Sequence, residues 1–395
     1  MFFTQKKLLS IALLSPLTAL CAPAPISIEI RSGSPETVFE WKNDRCFDEN
    51  IPDSPARAFR SEDGQVQLYA THFKNVPLKG PTVDSVKPEC RTNFAAAFSS
   101  VPESYDARIW LQTFYSIGSG KDIYSLGSSD YHGKWFNKCT LKGSTNQDCW
   151  MSAIVLAHSS DGGQSFSMAA PPNHIIANSP EKFSGEQAGS AGFLTTSNIV
   201  KIDNYFYSLF YASSFKKQRG GNCLARTNNL EDSKSWRAWS GRYYDEPLFN
   251  GPGGNSGGHT CIPLATLPYK IRSLLWHSAS QGYISTFEKT QKINNPSPRI
   301  DVEFSFAWSK DLINWSEPVK IMTLKGPSNC KTPQVSGAYP SIIDGQSTDE
   351  NFGTVADQAN LYFTKFNLQP NCRLTLDRDL VKVPIRIRTI SSHQR

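Results

Sequence analysis

The sequence predicts an all-β chain: a five-bladed β-propeller of four-stranded antiparallel blades. Three observations predict it. Short β-branched and aromatic runs bounded by Gly, Asn, Asp and Pro recur throughout, and no long stretch carries a helical period. One turn pattern, sharpest at Ser159 to Phe166 (SSDGGQSF), returns more loosely at Arg226 to Trp236 and at Ser309 to Trp315. Copies at such long intervals point to a repeated unit. Finally, the chain of 395 residues exceeds the ~250–300 residues at which a single core usually stops growing, yet no Pro/Ser-rich linker or charge run divides it. A radial repeat satisfies all three. A large sandwich or jelly roll is the competing all-β arrangement.

The chain opens with Lys6 and Lys7 before an apolar run from Leu8 to Leu20, the length of a signal peptide and too short to span a bilayer. Cleavage between Cys21 and Pro25 is expected, so residues 1–22 read as a signal peptide and 23–395 as a single domain. Leu20 is too bulky for a lipoprotein signal at Cys21, and no later run approaches a membrane span. A secreted or periplasmic location follows. The clearest strand runs are Val66 to His72, Arg108 to Ser116, Ile123 to Leu126, Ile154 to Ser159, Asn198 to Lys201 and Tyr205 to Tyr211. Ser273 to Ser278, Tyr283 to Phe287, Val302 to Trp308, Asn360 to Phe366 and Val381 to Ile390 follow. They group into five units. The first begins at Pro55 to Phe59 and turns at Asp63–Gly64. The second holds Ile109 to Tyr131 and ends at the strong turn. The third begins at Ser197 to Val200 and closes at Trp236, and the fourth runs from Ile262–Pro263 to Trp315. The fifth runs from Tyr339 to the C-terminus.

The repeated turn has a physical logic. Asp161 can accept from backbone N–H groups, Gly163 can take positive φ, and Phe166 can bury its ring between sheets. Of nine cysteines, Cys21 falls in the leader, which leaves an even eight. In an exported chain these read as disulfides. Order along the chain suggests Cys46–Cys90, Cys139–Cys149, Cys223–Cys261 and Cys330–Cys372.

Several functions are disfavoured. The formal charge of +6 is dispersed with no Lys/Arg stripe, which argues against nucleic-acid binding. No Cys-x-x-Cys, HExxH or comparable spacing supports a metal site. Gly254 to Gly258 satisfies G-x-S-x-G, but Gly251–Pro252 precedes it and His259 to Pro263 follows, so the strand–turn–helix setting of a serine nucleophile is missing. The sequence implies no cofactor and sets no oligomeric state.

The turn at Ser159 to Phe166 resembles the Asp box, found between outer strands of propeller blades in sialidases and their relatives. Ile51 to Arg57 (IPDSPAR), Trp308 to Trp315, Tyr339 to Asp344 and Asn360 to Thr364 resemble segments of the five-bladed propeller glycosidases, the arabinanase, β-xylosidase and invertase relatives. That resemblance implies a carbohydrate substrate and a general-base aspartate at Asp53. A calcium ion sits at the channel centre in some such relatives, but no residue here argues for one. A sialidase-type chain would need three arginines for a substrate carboxylate. Arg57 and Arg226 are the best candidates, and no third stands out.

Glycoside hydrolysis needs two carboxyl groups across the scissile bond, one ionised and one protonated. In a propeller, residues at the starts of the innermost strands converge at one mouth of the channel. Asp53 is the first candidate, with Arg57 nearby to keep it charged, against the plainer reading of a Pro52–Pro55 turn with an Asx cap. Asp130, in the polar loop Gly127 to Gly133 expected after a hairpin, is the second, and Glu186 the third, with Glu181 as its rival. Each reads equally as an ordinary loop carboxylate. His132, Asn198, His259 and Tyr339 are candidate substrate contacts or strand-end hydrogen bonders. Trp135 and Trp150 could stack on sugar or pack between blades. The competing function is a non-catalytic propeller that binds a glycan or protein.

Overall fold

The computed structural model describes residues 22–251, 258–294, 298–328, 330, 332 and 334–390. The predicted leader lies outside these residues except for Ala22, as does most of the Gly254 to Gly258 stretch. The described chain is all-β. Its helical content is one short α-helix, Trp41–Asp44, and two 3-10 turns, Pro102–Ser104 and Gly133–Phe136.

The strands fall into antiparallel groups that follow the chain. The first joins Arg57–Arg60, Val66–Tyr69, Leu78–Gly80 and Lys87–Pro88. The second joins Arg108–Ile117, Asp122–His132, Trp150–Ser159 and Ile175–Ala177. A third runs from Ser190–Thr196 through Tyr205–Ala212 and Gly221–Thr227 to Arg237–Trp239 and Tyr244–Pro247. The next contains Ile271–His277, Gly282–Ile293, Arg299–Ser309 and Val319–Leu324. The last contains Gly337–Ile343, Gln358–Phe366 and Arg378–Thr389, and its outer strand is the N-terminal Ile26–Ile30. The two ends of the described chain therefore share one sheet.

The opening strands of the groups touch in a cycle. Arg57–Arg60 meets Arg108–Ile117, which meets Ser190–Thr196. That strand meets Ile271–His277, which meets Gly337–Ile343, which returns to Arg57–Arg60. Buried hydroxyls tie the cycle together. Thr113 Oγ1 lies 2.6 Å from Thr196 Oγ1, Thr286 Oγ1 donates to the Pro340 carbonyl at 2.7 Å, and Ser341 Oγ donates to the Ala56 carbonyl at 2.8 Å. Short polar side chains let the inner strands approach closely, and these hydroxyls find partners across the cycle. Between the second and third groups the approach is closest. A Cβ on Gly192 would lie 1.8 Å from the Ser152 carbonyl oxygen, so only glycine fits this parallel contact.

The turns hold themselves. Ser159 Oγ donates to Asp161 Oδ1 at 2.7 Å, and Asp161 accepts from the Ser165 N–H at 2.9 Å. Gly163 lies at φ +83°, and Phe166 is buried. At Ser309 to Trp315, Asp311 accepts the Ile313 and Asn314 N–H groups at 2.9 and 2.7 Å, and Trp315 is buried. At the third copy Thr227 replaces the Ser/Asp pair, accepting from the Asn229 N–H at 2.9 Å, and Trp236 is buried against Phe210.

Two boundaries differ from those expected. The third group opens at Ser190–Thr196 rather than at Ser197, because Ser197 to Ile199 form a break before Val200–Ile202. The fourth opens at Ile271 rather than near Ile262–Pro263, a stretch without strand pairing that leads into a turn. Four disulfides join Cys46 to Cys90, Cys139 to Cys149, Cys223 to Cys261 and Cys330 to Cys372, as order along the chain suggested. They suit an oxidising compartment outside the cytosol. Among the described residues no helix is long and apolar enough to cross a membrane.

Trp236 is 1% exposed. Trp236→Ala is therefore expected to cost about 3–5 kcal/mol, read as a lowered urea midpoint with an unchanged slope.

Candidate active site

Tyr339 sits where the last group opens. Its backbone lies at φ +64° immediately before Pro340, and the strand register slips between Ala338 and Ser341. A bulky residue before proline is disfavoured in this region, so its surroundings must hold it there. They do so from three sides. The Tyr339 N–H donates to Glu288 Oε2 at 3.0 Å, its hydroxyl donates to Asp53 Oδ1 at 3.2 Å, and the Arg272 guanidinium lies 4.7 Å from its ring centroid. Burial, reinforced by the negative charge of Asp53, pushes the phenol above its ordinary value, so it stays protonated and donates.

Asp53 precedes the first inner strand and is fixed by its own N–H to the Ala70 carbonyl at 2.9 Å. Its Oδ1 accepts from Arg378 as well as Tyr339. Its Oδ2 is held more loosely, with Trp110 Nε1 at 3.3 Å and His72 Nε2 at 3.7 Å. Burial drives His72 down to about 4, with Arg378 and Arg108 adding to that and Asp53 opposing it. His72 is then neutral near pH 7, and its contact with Asp53 is not an ion pair.

Arg272 donates through Nε to Glu288 Oε1 at 2.9 Å and again through its terminal nitrogen. Burial opposes its charge most strongly, but Glu288, Tyr339 and Asp53 together hold Arg272 above its ordinary value. Arg57 is 2% exposed, and it bonds the Ala56 and Arg272 carbonyls rather than Asp53. Its Nε is buried without a partner. Burial, then the charge of Arg272, lowers it to about 9. The expected Arg57–Asp53 pairing is thus replaced by Arg378–Asp53. Arg57 reaches across the hub to the fourth group instead.

Asp130 lies in the strand Asp122–His132 rather than in the expected loop, because pairing with Arg108 on one side and Ser152 on the other extends the strand through it. Its Oδ1 takes the hydroxyls of Ser128 at 3.1 Å and Ser152 at 2.9 Å, and no hydrogen bond is made to Oδ2 among the described residues. Burial raises Asp130 to about 6, against the hydroxyls of Ser152 and Ser128, the nearby Trp150 indole N–H and the charge of Lys270. Lys270 is lowered to about 8, by burial and then by Arg272, with Glu288 and Asp130 opposing. Lys270 and Arg272 are two apart at the opening of one strand, and this links Asp130 electrostatically to the Tyr339 cluster.

The remaining candidates are elsewhere. Glu186 is exposed in its loop, and its side chain makes no hydrogen bond or ion pair among the described residues. Glu181 pairs with Lys216 at 3.2 Å. Arg226 is stacked between Tyr205 and Tyr244, at 4.1 and 4.2 Å, and joins none of the other arginines. Asn198 accepts the Leu274 N–H at 3.0 Å, a tie between the third and fourth groups. His259 Nδ1 lies 2.9 Å from Glu246 Oε1. His132 stacks on Trp150 and Trp135, and burial with nearby Arg108 lowers it to about 4.

His72, Trp110, Lys270, Arg272, Glu288 and Arg378 were not singled out from sequence. One signal was available for two of them, Lys270 and Arg272. Arg57, Arg108, Lys270 and Arg272 are charges at the openings of otherwise apolar inner strands, where solvation alone does not call for charge. Glu288 and Arg378 gave no such signal, because Glu288 opens the polar half of a long strand and Arg378 follows a polar turn.

No family model and no curated protein matches the chain. Solved structures with a similar chain path include a protein of unknown function from Dyadobacter fermentans, at TM-score 0.48 and 10% identity, covering 91% of this chain and 100% of that one. The endo-1,5-alpha-L-arabinanase of Thermotoga petrophila aligns at TM-score 0.47 and 13% identity, covering 89% of this chain and 72% of that one. The catalytic domain of a Coprinopsis cinerea GH62 alpha-L-arabinofuranosidase aligns at TM-score 0.45 and 10% identity, covering 90% and 97%. At these scores the likeness is one of general chain path and carries no residue across.

Asp130 binds its proton more tightly folded than unfolded. Its share of stability is therefore complete below about pH 4, its ordinary value, and is lost as pH rises through about 6. Asp130→Asn is expected to unfold at a higher temperature than wild type at pH 7.5, with the gap closing toward pH 4. Calorimetric melts at the two pH values check this.

Proposed function

We propose that the chain is an exported five-bladed β-propeller with Asp-box turns between its outer strands, and that it hydrolyses glycosidic bonds at the mouth around Tyr339. The observation carrying this reading is Tyr339 itself: a strained residue held by Asp53, Glu288 and Arg272, with Arg378 on Asp53. Buried charge and backbone strain in one place oppose stability and are characteristic of functional sites.

The two carboxyl groups fit opposite roles. Asp53 Oδ2, the less engaged oxygen, accepts the proton of an attacking water, while Oδ1 stays anchored by Arg378 and Tyr339. Asp130, raised to about 6, carries its proton on Oδ2 and delivers it to the leaving glycosidic oxygen. Glu288 is a poorer acid, since one oxygen is taken by Arg272 and the other by the Tyr339 N–H. A sialidase reading asks for three arginines free to take a substrate carboxylate. Here Arg272 holds Glu288, Arg378 holds Asp53, and Arg57 is enclosed.

Asp53→Asn keeps the shape and the tyrosine contact while removing the base. It is expected to lower kcat by roughly 10²–10⁴-fold, with a native far-UV spectrum. Retention of full turnover by this variant would sink the assignment. A wild-type protein that binds glycans without cleaving any would make the chain a binding propeller. Under the proposed roles, turnover declines as pH rises through about 6, because Asp130 loses its proton. A pH–rate profile checks this.

A further inference from the structure

Strand alternation places a continuous strip of side chains beside Asp53. In the second group, Trp110 faces Ser128, Arg108 faces Asp130, and His132 faces Trp150. Residues directly opposite, and residues two apart, share one face of a sheet. The rings along this face form a chain: Trp110 meets His72 and Phe73 at 5.2 and 5.7 Å, and His132 meets Trp135 and Trp150 at 4.3 and 4.8 Å. Arg108 closes the gap, its guanidinium 4.4 Å from the Phe73 centroid and 4.1 Å from that of Trp135. Unlike core aromatics, Phe73, Trp110, His132, Trp135 and Trp150 all remain part-exposed. The strip begins at Asp53, where Trp110 donates, and runs outward.

Its charge is not answered. Arg108 makes no hydrogen bond or ion pair among the described residues, and its Nε is buried without a partner. Glu49, the acid acting on it, is bonded to Lys74 at 2.7 Å. Two cations close in sequence to Trp135 end on carbonyls: Lys134 on Ser144 and Lys138 on Ser100. Asp130 faces Arg108 in register, but its hydrogen bonds go to serines. A guanidinium lying against aromatic rings, with no hydrogen-bond partner among the described residues, matches a planar carboxylate.

We infer that this strip is an extended subsite for a glycan bearing uronic-acid residues, with Arg108 reading the carboxylate and the aromatic rings stacking on the sugar faces. The inference rests on the hydrolase reading only for its position beside Asp53, since the recognition itself needs no turnover. It makes the substrate an acidic oligosaccharide spanning several sugars. A neutral sugar would leave the Arg108 donors unmatched.

The test measures binding on the full chain carrying Asp53→Asn, by calorimetry and tryptophan fluorescence. Acidic probes are oligogalacturonate and glucuronoxylan oligosaccharides, and the controls are the same chains with methyl-esterified carboxyls. The acid forms are expected to bind at least about tenfold more tightly than their esters, a preference that shrinks with added salt. Arg108→Gln should abolish the preference. Arg108→Lys should keep only part of it, because the planar fork is lost. Trp135→Ala should weaken acid and ester alike. Equal affinity for acid and ester, no binding by any acidic probe, or an undiminished preference in a folded Arg108→Gln protein would each overturn the inference. Acid-selective binding without hydrolysis by wild type overturns the hydrolase reading and leaves the subsite standing. Hydrolysis confined to neutral glycans does the reverse.

Discussion

Charge placed inside a ring of strands must be answered there, and in this protein the answers meet at Tyr339. Its N–H takes one oxygen of Glu288 while Arg272 takes the other, and its hydroxyl meets the Asp53 oxygen that Arg378 also holds. Four segments far apart in the chain are locked together by this set. Removing one partner of such a pair leaves the other uncompensated in a poorly solvated place, which costs far more than a surface pair is worth. The backbone of Tyr339 is held in an unfavourable region by the same contacts, so the strain and the ion pairs stand or fall together.

The same burial divides the titrating groups. His72 is pushed neutral, Asp130 is pushed up, and Tyr339 is kept protonated, all chiefly by loss of water. Arg57 is the exception in kind: a cation at the hub answered only by carbonyl dipoles and lowered to about 9. Its reach from the first group to the Arg272 carbonyl makes it a strut across the hub, and the neighbouring arginines do the pairing with acids.

Outside the hub, sheet geometry does the arranging. The second group carries Arg108, Trp110, His132 and Trp150 on one face of its strands, and the loop residues His72 and Phe73 and the 3-10 turn residue Trp135 pack their rings against them. Hydroxyl ties between opening strands, such as Thr113 to Thr196 and Ser341 to Ala56, fix how far each sheet leans toward its neighbour. A rigid frame of this kind positions side chains more closely than loops do.

The sequence by itself determined the all-β class, most strand positions, the self-bonded turns at Asp161 and Asp311, and the order of the disulfides. These are local matters, set by alternation, turn chemistry and the parity of cysteines. It also singled out Asp53, Asp130 and Tyr339 as candidates, from polar signals near strand ends. Only the tertiary structure decided their partners. Arg378 lies 325 residues from Asp53, and nothing in the local pattern of either reveals the other. Arg226 shows the converse: an arginine in a promising motif, taken up by Tyr205 and Tyr244 because the strands that carry it lie side by side. Pairing across a ring depends on which strands come to face one another, and a linear pattern does not contain that information.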